Sequence, residues 1–232
     1  NNGNQQIKFS RSSDGGNSWS QWKNVQATPD STQSRPSLVQ NKTGRLYLFA
    51  YSSFGNTKDK QQILYSWSDS RGEFWSQWQV ISDPSFDSRH ASTTIDSSGK
   101  IFVAWRAEKY SGRSQIMSRF LENDNWSDIQ PVAASPANQF FSSVGVDASG
   151  KVNIVWMESA NLSALPNEDP TDGKIYQSFW SGGEFSASRE ISTGSANLYP
   201  NIPEKIGTDG VPIIYESGLN SGNYDLIFRL LK

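Results

Sequence analysis

Arginine, glutamate and aromatic residues occupy matching places in this 232-residue sequence. Arg35-Pro36, Arg89-His90, Phe140-Phe141 and Tyr199-Pro200 each stand just ahead of a short apolar run. Tyr51, Arg106, Met157 and Glu216 each end the apolar run that comes next, with Glu108 and Glu158 slightly beyond. Guanidinium and carboxylate groups hydrogen-bond to hydroxyls, and an aromatic ring stacks on the apolar face of a sugar. Gathered in one shallow funnel, Arg35, Arg89, His90, Arg106, Glu108, Phe140, Glu158, Tyr199 and Glu216 are candidates for holding a glycan. The same residue types fit a second reading, in which the arginines and glutamates pair with one another and close a central channel.

Other chemistries find less material. His90 is the single histidine, and its setting Ser88-Arg89-His90-Ala91 suits neither a Ser-His-Asp triad nor a multi-histidine metal site. With no cysteine, disulfides, thiolate nucleophiles and Cys-ligated zinc are all excluded. Glu168, Asp169 and Asp172 could offer oxygens to Ca²⁺, but their spacing is not that of an EF-hand, and a solvated acidic loop is the expectation. No metal and no cofactor is therefore expected. A balance of 21 Lys+Arg against 23 Asp+Glu gives no electrostatic case for nucleic acid or an anionic membrane. The sequence starts Asn1-Asn2-Gly3-Asn4 without Met and holds no apolar run long enough to span a membrane. A removed upstream segment and a secreted or cell-surface setting are the expectation.

The elements that must position these residues recur. Gln6-Ile7, Gln62-Ile63, Gln115-Ile116, Lys174-Ile175 and Asp225-Leu226 follow one another at offsets of 56, 53, 59 and 51 residues. Periods near this length mark propeller blades. Strand A is expected at 36–40, 92–96, 142–147 and 201–206, each followed by a turn that Asn41, Asp96, Asp147 or Thr208-Asp209 opens and glycine closes. Strand B, the most apolar, is expected from Leu46, Ile101, Val152 and Val211 onward. The five aligned segments belong to strand C, and D follows at 21–25, 77–81, 126–132 and 187–191. The expected fold is an all-β propeller of four-stranded antiparallel blades, one domain over 1–232, in about five copies with the first and last incomplete. Closure as four blades is the alternative.

The first C–D corner is the best-formed. Ser12, Asp14, Gly16 and Ser18 before Trp19 suit a tight hairpin, with Asp14 accepting turn amides and Gly16 supplying positive φ. Asp69, Gly72 and Trp75 repeat the signal with one extra residue. Ser-x-Asp-x-Gly-x-Ser-Trp resembles the Asp-box, or BNR repeat, of sialidases and related β-propellers. Trp19 starts the next strand and is expected to bury its ring under the loop, and the resemblance implies a structural corner on the face away from the binding site. It also implies comparison of Arg35 with an arginine of the sialidase triad that grips the substrate carboxylate. Here the residue between Arg35 and Pro36 is missing, and no nucleophile pair or further triad arginine maps by motif. The expected function is recognition of a glycan or a protein partner without catalysis. A sialidase-like glycoside hydrolase and a structural module of a larger surface protein are the alternatives, and the oligomeric state is left open.

Overall fold

The computed structural model of the chain describes residues 4–28, 30–53, 60–108, 112–161, 171–194, 196–218 and 223–232. Every regular element among them is a strand, and the strands form five sheets in sequence order. The first pairs β1 (Lys8–Phe9) with β2 (Lys23–Asn24). The second runs β3 (Ser34–Gln40), β4 (Leu46–Ser52), β5 (Gln62–Ser68) and β6 (Gln79–Val80). The third runs β7 (Asp87–Ile95), β8 (Ile101–Glu108) and β9 (Ser114–Glu122), with β10 (Asn125–Trp126) and β11 (Gln130–Pro131) both on β9. The fourth repeats this with β12 (Asn138–Asp147), β13 (Val152–Ser159) and β14 (Lys174–Ser181), and with β15 (Glu184–Phe185) and β16 (Arg189–Glu190) on β14. β17 (Asn197–Asn201) belongs to the fifth sheet, β18 (Lys205–Ile206) leaves it, and β19 (Val211–Gly218) and β20 (Tyr224–Leu231) complete it. The copies are five, the first holding strands C and D and the last A, B and C. Two compact units share the chain, Asn1–Ala91 and Ser92–Lys232.

The repeats are equivalent down to single hydrogen bonds. Asn41, Asp96 and Asp147 each use one side-chain oxygen to accept the amides two and four residues on, at 2.8–3.1 Å, which bends the A–B turn. In strand C, the carbonyls of Ile7, Ile63, Ile116 and Ile175 accept the amides of Val25, Ile81, Val132 and Ile191 at 2.8–3.0 Å. The amides of the same four isoleucines donate to side chains, namely Gln33, Ser82, Gln139 and Ser192, at 2.8–3.0 Å. All eight apolar residues are buried, so each ladder bond is sealed from water. β13 is apolar on both faces because a sheet lies against each, Ile154 and Trp156 packing with Phe102 and Ala104 on one side and Val155 and Met157 with Ile213 and Tyr215 on the other. Leu46, Leu48 and Ala50 pack with Ile7, Val25 and Trp75 in the first unit, and Phe102 and Ala104 pack with Val144, Ile154 and Trp156 in the second.

Two corrections concern the C–D corners. In the first, Ser12 accepts the Gly16 amide at 2.8 Å, and Asp14 accepts the Ser18 amide at 2.9 Å and the Ser18 hydroxyl at 2.6 Å. In the second, Ser68 accepts the Gly72 amide at 2.9 Å and Ser70 accepts the Phe74 amide at 2.8 Å. Ser70, not Asp69, thus stands where Asp14 does, with no extra residue, and Asp69 instead forms a two-point pair with Arg45 at 2.6 and 3.0 Å. A hydroxyl can replace the carboxylate because one acceptor suffices for that amide. Trp19 is not buried, being 66% exposed, whereas Trp75 is 9% exposed. Trp75 packs edge-on against Phe9 of the preceding copy, at 5.5 Å between ring centres, and Trp19 has no such neighbour among the described residues of its unit.

A third correction concerns strand A of the fifth copy, expected at 201–206. The strand is Asn197–Asn201, after which the chain crosses to run parallel to β12, with Val146 opposite Lys205. Pro203 interrupts the run, lacking an amide for any ladder. The crossing is held by Val146 N–H and the Thr94 hydroxyl, both donating to Glu204 O at 2.9 Å, and by the Lys205 ammonium on Ile95 O. A β-carbon at Gly145 would lie 2.1 Å from Pro203 O, so glycine is the residue that permits the approach.

Two stability outcomes follow from the corners. Gly72 has φ +86° and no room, since a β-carbon would stand 2.1 Å from the Phe9 ring, whereas Gly16 at φ +95° faces open space. Gly72→Ala should cost roughly 2–4 kcal/mol, combining left-handed strain with overpacking, and Gly16→Ala about half of that or less; urea midpoints of the two variants measure the difference. The Ser18 hydroxyl, then the Ser18 amide and the Ser12 hydroxyl, lower the Asp14 pKa from 3.8 to about 2. A depressed carboxyl contributes stability above its unfolded pKa and loses it as pH falls through the folded one. Asp14→Asn should therefore melt below the wild type at pH 7, with the gap closing between pH 4 and pH 2.

Candidate functional site

In each unit the sheet edges formed by the starts of strands A and the ends of strands B hold the predicted residues, and their backbone is unusual. Arg35, His90, Phe141 and Tyr199 have φ of 49°, 59°, 49° and 50°, in the left-handed region that costs a residue with a β-carbon about 1 kcal/mol or more. In three sheets the register identifies the device as a bulge. Ser34 lies opposite Tyr51, Phe140 opposite Met157 and Leu198 opposite Glu216, and then two residues of strand A face one of strand B. The lone residue on strand B is Ala50, Trp156 or Tyr215, each buried.

Buried polar anchors precede the bulges. Gln33, Ser88, Gln139 and Asn197 each stand two residues before the left-handed one and are almost wholly inaccessible. The amides of Gln33, Ser88 and Asn197 donate to the carbonyls of Gln5, Gln61 and Gly173 at 2.8–2.9 Å. Gln139 O accepts the Ser114 hydroxyl at 2.9 Å. The entry to strand A is thus pinned, and the bulge two residues later lifts one side chain out of the ladder.

In the first unit, exposed Arg35 lines an open concavity of about 710 Å³ together with Gln5, Lys8, Asn24 and Tyr51. Its charged lining residues are both cations, and Arg35 makes no ion pair among the described residues. His90 packs edge-on to Tyr51 at 5.6 Å. Arg89 is held by Asp87 in a two-point pair at 2.6 and 3.0 Å.

In the second unit an aromatic file leads from the interior outward. Arg106, with a side chain 7% exposed, lies 3.6 Å from the Glu108 carboxylate and 5.8 Å from the Phe140 ring centre. Phe140 touches Phe141 at 6.2 Å, and Phe141 meets Tyr199 edge-on at 4.7 Å. Tyr199 ends the file, 39% exposed. Glu216 is half-buried, opposite Leu198 in the ladder, and has no side-chain partner among the described residues. Glu158 is a different kind of group. It is buried and accepts Gln139 Nε2 at 3.0 Å, Trp156 Nε1 at 2.9 Å and the Ser135 hydroxyl at 2.8 Å, which fixes it as a strut for the anchor Gln139.

The sequence pairs are out of step by one residue. They set Arg35 beside Arg89 and Phe140, whereas the backbone equates Arg35 with His90, Phe141 and Tyr199. Phe141 is the position that the candidate residues omit. Counting back six from the turn residues Asn41, Asp96 and Asp147 reaches Arg35, His90 and Phe141, a signal that fails only in the fifth copy, where the crossing segment intervenes. Glu168 and Asp169 lie outside the described residues. Asp172 accepts the Ser159 hydroxyl and the Ala160 and Asn161 amides at 2.5–3.1 Å, and no cluster of metal-ligating side chains occurs among the described residues. Two further concavities, of about 650 and 560 Å³, lie at the opposite edge of the second unit among A–B turns and C–D corners, where Asp147, Lys151, Asp96 and Lys100 mix both charges.

No family model and no curated protein sequence matches the chain. Solved structures do. The chain has the β-propeller fold. It resembles an ulvan lyase of polysaccharide lyase family 25 with a TM-score of 0.65 at 12% identity, over 90% of this chain and 55% of that one. It resembles the GH93 α-L-arabinofuranosidase of Fusarium graminearum, solved with arabinobiose, at 0.62 and 13%, over 97% and 70%. The intramolecular trans-sialidase of Ruminococcus gnavus follows at 0.55 and 16%, over 97% and 50%. The chain thus spans about half the length of the lyase and of the trans-sialidase.

Glu158→Ala should leave the buried Trp156 indole N–H without an acceptor and remove one partner each from Gln139 and Ser135, destabilising the fold by about 1–3 kcal/mol. Chemical denaturation measures the loss; an unchanged midpoint would mean that the carboxylate is not a strut.

Proposed function

We propose that the protein binds glycans at the sheet edges, within each unit, where the left-handed residues stand, and that it does so without catalysis. The observation that carries this reading is the side chains at those four positions, Arg35, His90, Phe141 and Tyr199. They are the cationic and aromatic types that meet hydroxyls and sugar faces, offered from strained backbone of the kind found at ligand clamps. The similar solved proteins support the ligand class, since one is an ulvan lyase bound to a glucuronate-rhamnose sulfate repeat and another holds arabinobiose. Two of the three candidate glutamates support the absence of catalysis. Glu158 is held by three donors and Glu108 faces Arg106 at 3.6 Å, whereas Glu216 has no side-chain partner among the described residues.

One observation favours a catalytic reading, because the similar proteins named above are enzymes. Calorimetric titration against oligosaccharides, with a parallel assay for bond cleavage, separates the two. Binding without turnover is expected. Turnover that Arg106→Ala abolishes would replace recognition by catalysis, and failure to bind any glycan would sink both.

A further inference from the structure

Left-handed positions are filled differently in the A–B turns and in strand A. The A–B turns close on glycine, at Gly44, Gly99, Gly150 and Gly210, all at positive φ, while the C–D turns also take Arg71, Asn123 and Asp124 there. At the bulge of strand A the chain places Arg35, His90, Phe141 and Tyr199, never glycine, asparagine or aspartate, the residues that adopt this conformation at least cost. The strain is therefore kept for the side chain. In the second unit that side chain is an exposed phenol ring, buttressed edge-on by Phe141 at 4.7 Å. Phe141 in turn rests on the core of Phe140, Leu198 and Ile202, so the platform cannot swing away. Glu216, half-buried, lies opposite Leu198 in the ladder, one residue along from Tyr199, and its side chain has no partner among the described residues.

We propose that Tyr199, braced by Phe141, is a stacking subsite for a neutral sugar ring, and that Glu216 accepts hydrogen bonds from hydroxyls of that ring. The inference rests on the glycan reading above and names its ligand class within the second unit. A stacked ring offers its apolar face to Tyr199 and its hydroxyls sideways, where a carboxylate takes two of them. The carboxylate also selects against uronate and sulfated sugars, whose charge it repels.

The test uses the whole chain and two probe sets, neutral arabino-, galacto- and xylo-oligosaccharides and uronate-containing oligosaccharides. Tyr199→Gly relaxes the backbone and removes the ring. Tyr199→Asn removes the ring with a residue that tolerates the conformation, in case glycine loosens the strand. Both should melt within about 5 °C of the wild type and lose neutral-sugar affinity by about tenfold, the scale of a central aromatic contact. Glu216→Gln should weaken neutral binding by about threefold or more and admit the uronates. Neutral-sugar affinity unchanged within twofold in both Tyr199 variants would overturn the subsite while leaving glycan binding intact. Melting points that collapse in both would overturn it too, by giving the ring to the fold. Wild-type binding of uronates alone would overturn the neutral class, and wild-type binding of neither set would sink the glycan reading and the subsite together.

Discussion

A buried isoleucine in strand C must satisfy both of its backbone groups, and the rest of each repeat is arranged around that demand. Strand D is too short to supply a full ladder; β2, β6, β11 and β16 have two residues each. One D-strand amide therefore reaches the isoleucine carbonyl, and a side chain, Gln33, Ser82, Gln139 or Ser192, takes its amide. An orphaned backbone amide at such depth would cost about 1–3 kcal/mol. Gln33 and Gln139 come from the next sheet, so in two copies the same bond also fastens one blade to its successor.

That fastening makes the strained edge possible. Gln33 and Gln139 lie two residues before Arg35 and Phe141, and Ser88 and Asn197 hold the same position in the other copies. A chain fixed so close to the bulge cannot relax the left-handed residue by sliding, because a slip of one residue would turn the buried face outward. The support extends outward through Glu158, which holds Gln139 and the Trp156 indole together. A carboxylate proposed for ligand contact is thus better understood as part of the frame beneath the ligand edge. The positions proposed to face a ligand are instead those at which the backbone itself is costly.

The blade pattern was legible because it depends on local chemistry. Asx residues opening turns, glycine closing them and two-sided apolar runs all follow from hydrogen bonding and burial within a dozen residues, and the five copies emerged from them. What was misread depended on partners distant in sequence. Asp69 looks like the corner residue until Arg45 is seen to hold it and Ser70 to take its place. Trp19 and Trp75 are alike in sequence and differ only in whether Phe9 of another copy covers them. The pairs of the third and fourth sheets were read one residue early because Pro36 and Pro200 mark the residue after the left-handed one in the second and fifth sheets, and no proline marks the third and fourth there.

The fifth copy departs from the others for a reason that the crossing segment supplies. Its strand A is only five residues long, because Ile202 to Ile206 is diverted to β12. Ile202 and Ile206 are both buried in the cluster with Phe140, Leu198 and Tyr215, while Ser143 and Ile202 exchange hydrogen bonds at 3.1 and 3.4 Å. The diversion gives up the rest of the ladder to β19 and ties the fifth sheet to the fourth through the interior. Tyr199, on the short strand that remains, is therefore anchored from both sides, by Asn197 before it and by the buried Ile202 and Ile206 after it. Leu226 and Phe228 on β20 are 71% and 68% exposed, so the outer part of this sheet gains little from burial. Its order depends on the inner end, where the crossing segment and the aromatic file meet, and a ligand stacked on Tyr199 would add its contacts to the part of the sheet that is already the most firmly held.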